Sequence, residues 1–254
     1  MIRDELLAAT RSTLEDLEAI SGYPVSFLED ASLKTLAAIR IASDRQPIHL
    51  IRYRPGAKDI DYLVAFEAAL AIRTYRHAPE RRLQLSGQPA AREQIRAEVA
   101  RMHPELPPDR RQSFSDFLFD SLLTQLRSVP PGLLVDYSLY RLHPEIRSLQ
   151  ARSVASQLAE NVKALGPEVT RQFPAIIVNA NRAMNAAYAI AMATLLQAPQ
   201  HQIPYQAMGL EQTALDLLAL QPSPDAPEPD DTALITAWAE RLSITSWIAW
   251  VPLA

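Results

Sequence analysis

The sequence predicts a predominantly helical α+β protein, with a small N-terminal sheet of about three strands packed on one helix and extended by a C-terminal helical bundle. Three observations predict it. β-Branched and aromatic residues gather only between Val25 and Tyr53 and partly alternate there, as in His49-Leu50-Ile51-Arg52-Tyr53, which is the two-residue period of a half-buried strand. After Gly56 the apolar residues recur at helical spacing almost to the C-terminus. Finally, 48% of the 254 residues are hydrophobic and 21% charged, enough apolar material for a sizeable core.

The elements follow in order. Leu6, Leu7, Leu14, Leu17 and Ile20 mark an N-terminal helix, ended by Ser21-Gly22 and Pro24. Strands are expected at Val25 to Leu28, Thr35 to Ala42 and Pro47 to Tyr53, bounded by Asp30, Asp44 and Pro55-Gly56. A helix runs from Asp61 to His77, and a charged one from Ala90 to Met102 closes on Pro104. Ser113-x-x-Asp116 reads as a capping box opening a helix that stops at Ser128, before Pro130-Pro131. Further helices are expected at Leu133 to Leu142, at Glu145 to Leu165 with Gly166-Pro167 as a stop, at Ala175 to Gln197 after Pro174, and at Met208 to Leu220. Residues 1–221 read as one α+β domain with its helical extension. A Pro-rich linker, 222–230, leads to residues 231–254, a final helix near Asp231 to Leu242 and an apolar tail.

Composition narrows the function. A formal net charge of -4 argues against nucleic acid and anionic membrane as partners, since both reward clustered positive charge. With no cysteine there are no disulfides, thiolate metal sites or cysteine nucleophiles. The first twenty residues carry acids and lack an apolar core, so they are expected to be part of the fold and not a signal peptide. No unbroken apolar run reaches the roughly 18 residues a membrane span needs, and cytoplasmic residence is the default expectation. G-x-S-x-G is absent, the five histidines are scattered, and the six glycines form no phosphate-cradling run.

The most informative stretch is Asp61 to His77, DYLVAFEAALAIRTYRH. At about 100° per residue, Glu67 shares the packing face with Ile60, Leu63, Val64 and Ala71. An unpaired carboxylate there costs on the order of several kcal/mol, so Glu67 must be paired with an arginine, be protonated, or face a cleft. Arg73, Arg76, Arg81 and Arg82 read as a basic edge, solvated or facing a partner, with Glu80, Glu93 and Glu98 interleaved.

The order of helix, small sheet ending near Tyr53-Arg54-Pro55, then a helix with a glutamate inside an apolar face, resembles the core of zincin-type metallopeptidases over roughly Val25 to Arg147. In that family the helix carries H-E-x-x-H, whose imidazoles ligate zinc while the glutamate activates the bound water. Here the corresponding run is Phe66-Glu67-Ala68-Ala69-Leu70. The gluzincin branch adds an acidic third ligand from a later helix, for which Asp136 is the candidate. The resemblance thus implies a remnant catalytic position at Glu67 and former ligand positions at Phe66, Leu70 and Asp136. Neither Phe66 nor Leu70 can donate a lone pair, so it also implies no metal, no cofactor and lost peptidase activity.

Other groups bear on this site. Asp136, Tyr140 and His143 share a helical face, so an oxygen-rich metal set of Glu67, Asp136 and His143 is chemically conceivable. The plainer alternative is that Tyr140 and His143 close their helix before Pro144, with His143 facing the helix dipole. Asn181, Arg182 and Asn185 make a polar stripe on the otherwise apolar helix Ala175 to Leu196, requiring an internal hydrogen-bond network or, for Arg182, pairing with Glu67 or Asp136. Trp247 and Trp250 in the tail must be covered, either by their own domain or by a partner.

The expected function is a non-catalytic, zincin-like scaffold, regulatory or interaction protein, with a protein partner or self-association. The alternatives are a metal-dependent hydrolase with an unorthodox site around Glu67 and Asp136, and a helical interaction domain of unrelated origin.

Overall fold

The computed structural model describes residues 2–33, 35–223 and 230–253. Helices α1 (Ile2–Glu5) and α2 (Ala8–Ser21) precede strands β1 (Val25–Glu29), β2 (Ala37–Arg40) and β3 (His49–Tyr53), and helix α3 (Ile60–Tyr75) follows. Strand β4 (Leu83–Gly87) leads into α4 (Pro89–Met102), α5 (Pro108–Leu142), α6 (Arg147–Asn161), α7 (Pro167–Gln172) and α8 (Ala175–Leu195). The chain continues through α9 (Ile203–Ala207), α10 (Glu211–Leu218) and α11 (Asp231–Arg241) to β5 (Ile248–Pro252), which pairs with β4. This is the predominantly helical α+β class that the sequence predicts. Two compact units divide the chain: Met1–Gln84 with Leu134–Val154 and Pro252–Ala254, and Leu85–Leu133 with Ala155–Val251. Of the Pro-rich stretch, 224–229 lies outside the described residues.

In the first unit the sheet order is β1-β3-β2, with β1 parallel and β2 antiparallel to β3. Register places Phe27, Ile51 and Ile39 in one row across the three strands. That row packs with Leu14 and Leu17 of α2 and with Val64, Ala68 and Ala71 of α3. Burying each large apolar side chain contributes roughly 1.5–3 kcal/mol, and the alanines let α3 approach closely. Helix α2 ends where Gly22 takes φ 75 and donates its N–H to Glu18 O, a left-handed cap that favours glycine.

In the second unit α8 is buried on nearly every side and packs on α10. Asp230 caps α11, accepting from Thr232 N at 2.9 Å and Ala233 N at 3.2 Å. Trp247 is buried and stacks on Phe119 at 5.7 Å, while Trp250 donates Nε1–H to Thr236 Oγ1 at 3.1 Å. The aromatic tail is therefore covered by its own chain. A Cβ at Gly87 would run into Phe119 and Leu123, so glycine is required beside this stack.

One expectation fails clearly. Helix α5 does not stop at Ser128 but runs unbroken through Pro130 and Pro131 to Leu142, and it begins at Pro108, not Ser113. Each proline removes an N–H from the helical ladder, yet Pro130, Pro131 and Gly132 are buried, and Pro130 O accepts from Gln221 Nε2 at 3.2 Å. Tertiary packing here outweighs the local penalty. Asp116, read as part of a capping box, lies mid-helix and instead pairs with Arg92 and Arg96. Helix α10 starts at Glu211, not Met208, because Gly209 at φ 70 turns the chain first.

Candidate functional site

Glu67 is half-buried on α3, and its Oε2 accepts from Ile39 N at 3.0 Å. Strand β2 is an edge, and in its register with β3 the Ile39 N–H points away from the ladder. The carboxylate supplies the acceptor that a further strand would have given. On the same edge Thr35 Oγ1 donates to Ala37 O at 2.8 Å.

Asp136 is fully buried. Its Oδ1 accepts from Tyr62 Oη at 2.7 Å and from Gln150 Nε2 at 2.8 Å, and Gln150 Nε2 also donates to Asp136 O at 2.9 Å. Gln150 Oε1 is buried with no hydrogen-bond partner among the described residues. Tyr62, Phe66 and Leu70 are spaced by four, so they form one stripe along α3. The Tyr62 and Phe66 rings lie 6.0 Å apart, and Phe66 and Leu70 are both half-buried. Asp136 thus meets the stripe of Phe66 and Leu70 through Tyr62. Glu67 sits about 140° around the helix from Tyr62 and is engaged with β2.

The remaining residues have separate tasks. Tyr140 O accepts from Arg147 Nε at 2.6 Å, and the Arg147 guanidinium lies 4.8 Å from the Tyr140 ring centre. His143 follows the last residue of α5, donating its N–H to Leu139 O at 3.0 Å. Arg182 does not spend its guanidinium on Glu67 or Asp136: it donates to Ala164 O at 2.8 Å and Gly166 O at 3.0 Å. Main-chain carbonyls left over where a helical segment ends need such donors. Asn181 and Asn185 join Gln125 in an amide network, with bonds of 2.9, 2.7 and 3.1 Å. Of the expected basic edge, Arg82 turns back over the Tyr75 ring at 4.6 Å and donates to His77 O. Among the described residues no three His, Asp or Glu side chains form a group that could hold a metal ion.

Sequence reasoning missed His49. It is fully buried, with Nδ1 accepting from Ala42 N at 3.0 Å and Nε2 at 2.9 Å from Ser21 Oγ. Because Nδ1 must offer its lone pair to Ala42, the ring proton sits on Nε2 and points at Ser21. A Ser-His distance suited to nucleophilic catalysis therefore carries the wrong tautomer for a base. Burial pushes the imidazole pKa down to about 4, with the Glu18 carboxylate opposing in part. The signal was present in the alternation, which sets His49 on the same inward face as Ile51.

The chain matches no known protein family, no curated protein and no solved structure. Among the described residues no helix is long and apolar enough to cross a membrane.

Proposed function

We propose that this protein is a non-catalytic relative of the zincin-type metallopeptidases, retained for a scaffolding, regulatory or protein-interaction role, with a protein partner or a second copy as its counterpart. The observation that carries this reading is the employment of Asp136. A metal-ligating carboxylate needs to face a cation, whereas this one is enclosed by the Tyr62 hydroxyl and the Gln150 amide. The stripe it meets presents the hydrocarbon of Phe66 and Leu70, and zinc requires nitrogen, oxygen or sulfur there. The sequence of helix, three-stranded sheet and glutamate-bearing helix also agrees with the proposed ancestry.

Metal content and a reversal of the two apolar positions test this. Zinc measured in the purified protein is expected to be far below one per chain. Stoichiometric metal that disappears in Glu67→Ala would overturn the non-catalytic reading. Phe66→His combined with Leu70→His is expected to raise zinc affinity about tenfold or more. A double variant that folds like the parent and remains indifferent to zinc would remove the support for ancestry.

A further inference from the structure

We infer that His49 is an acid-sensitive latch on the loop between β2 and β3, holding that loop closed while the imidazole is neutral and releasing it when the ring gains a second proton. The loop, residues 41–48, is tied within itself by Ser43 N to Gln46 O and Gln46 N to Ser43 O, both 3.0 Å. Three side chains from outside fasten it. His49 takes the Ala42 N–H, Tyr75 Oη donates to Ala42 O at 2.5 Å, and Tyr23 Oη donates to Asp44 Oδ1 at 2.7 Å.

The His49 fastening exists in one protonation state alone. A proton on Nδ1 would set two N–H groups against each other across 3.0 Å, turning an attraction into a repulsion. Ala42 and His49 are both fully buried, so the displaced N–H reaches water only if the loop moves.

The surroundings do not compensate an imidazolium. From α2 the Glu18 carboxylate acts on the ring, but it is already engaged by Arg3 at 2.8 Å and by Val25 N at 2.8 Å. Ser21, also from α2, faces Nε2. Tyr23 and Tyr75 meet His49 in edge-type contacts at 6.2 and 5.3 Å. Arg82 stands over Tyr75, adding positive charge, and Asp44 is held by Tyr23. Below the ordinary histidine value of 6.5 the proton therefore favours the open loop, and the pull grows until about 4. Opening uncovers the Tyr23–His49–Tyr75 cluster at the start of β3.

Nuclear magnetic resonance on the intact protein tests this. Imidazole nitrogen shifts near neutral pH are expected to report His49 as the Nε2–H tautomer. Amide-exchange protection of Ala42, corrected for intrinsic rates, is expected to fall about tenfold or more between about pH 7 and about pH 4.5, while amides in α8 keep theirs. His49→Gln, whose carbonyl can accept from Ala42 without titrating, is expected to flatten the loop's response. An Nδ1–H tautomer, a uniform loss across the chain, or the same acid loss in His49→Gln overturns the latch. Should that variant not fold, the tautomer and the site-resolved protection of the parent decide alone.

Discussion

Asp136 in the first unit and Asn185 in the second are both buried polar side chains, but their surroundings follow different rules. Around Asn185 three carboxamides form a closed ring: Asn181 donates to Gln125, Gln125 to Asn185, and Asn185 to Asn181. Each gives one N–H and takes one, so the ring balances itself with neutral groups and has no proton to gain or lose. Asp136 instead takes donors from Tyr62 and Gln150, and the Gln150 Oε1 is buried with no hydrogen-bond partner among the described residues. A balanced network is what packing alone would produce, because unsatisfied buried atoms cost free energy. The network around Asp136 does not close on itself in this way.

Removing the central group should separate the two most sharply at Asp136. Asp136→Ala strips the acceptor from a buried hydroxyl and a buried amide, and is expected to cost about 3 kcal/mol by chemical denaturation. A loss below about 1 kcal/mol would mean that water already serves Tyr62 and Gln150, and the contrast with the amide ring would lapse. In the second unit, Gln125→Leu breaks two of the three ring bonds. Asn181 and Gln125 are only half-buried, so solvent can take up part of the loss. The expected cost is about 2 kcal/mol, the lower part of the range for an orphaned buried amide, and it should not vary with pH. A cost equal to that of Asp136→Ala would show that the balance of donors and acceptors is not what distinguishes the two networks.

The same division runs through what the sequence could tell. Strands β1 to β3 were legible because alternation and turn residues act locally, and Asn181 and Asn185 were legible as a stripe that needed partners. Gln125 was not, since nothing local to it announces a contact 56 residues away. Pro130 and Pro131 misled for the related reason that a proline's penalty is local while its compensation, burial and the bond from Gln221, is not. Glu67 stands out in the sequence as an acid on a packing face, whereas Asp136 enters only through the resemblance. Their partners, an edge-strand amide for one and a tyrosine with a glutamine for the other, depend on which surfaces meet, and periodicity does not encode that.

Glu67 offers the smallest and most discriminating effect. If its main task is to cover the Ile39 N–H at the edge of β2, then Glu67→Ala exposes one backbone donor at a half-buried position, a loss of about 1 kcal/mol. Glu67→Gln keeps an acceptor oxygen and is expected to cost less than the alanine variant. Exchange at the Ile39 amide should accelerate in Glu67→Ala and stay near the parent rate in Glu67→Gln. The order of the two variants decides the matter: an edge-capping role needs an oxygen, whereas a role for the charge would make glutamine as damaging as alanine. Equal losses in both variants would reassign Glu67 from the strand edge to an electrostatic function, and with it weaken the contrast between an acid kept for structure and the neutral ring of the second unit.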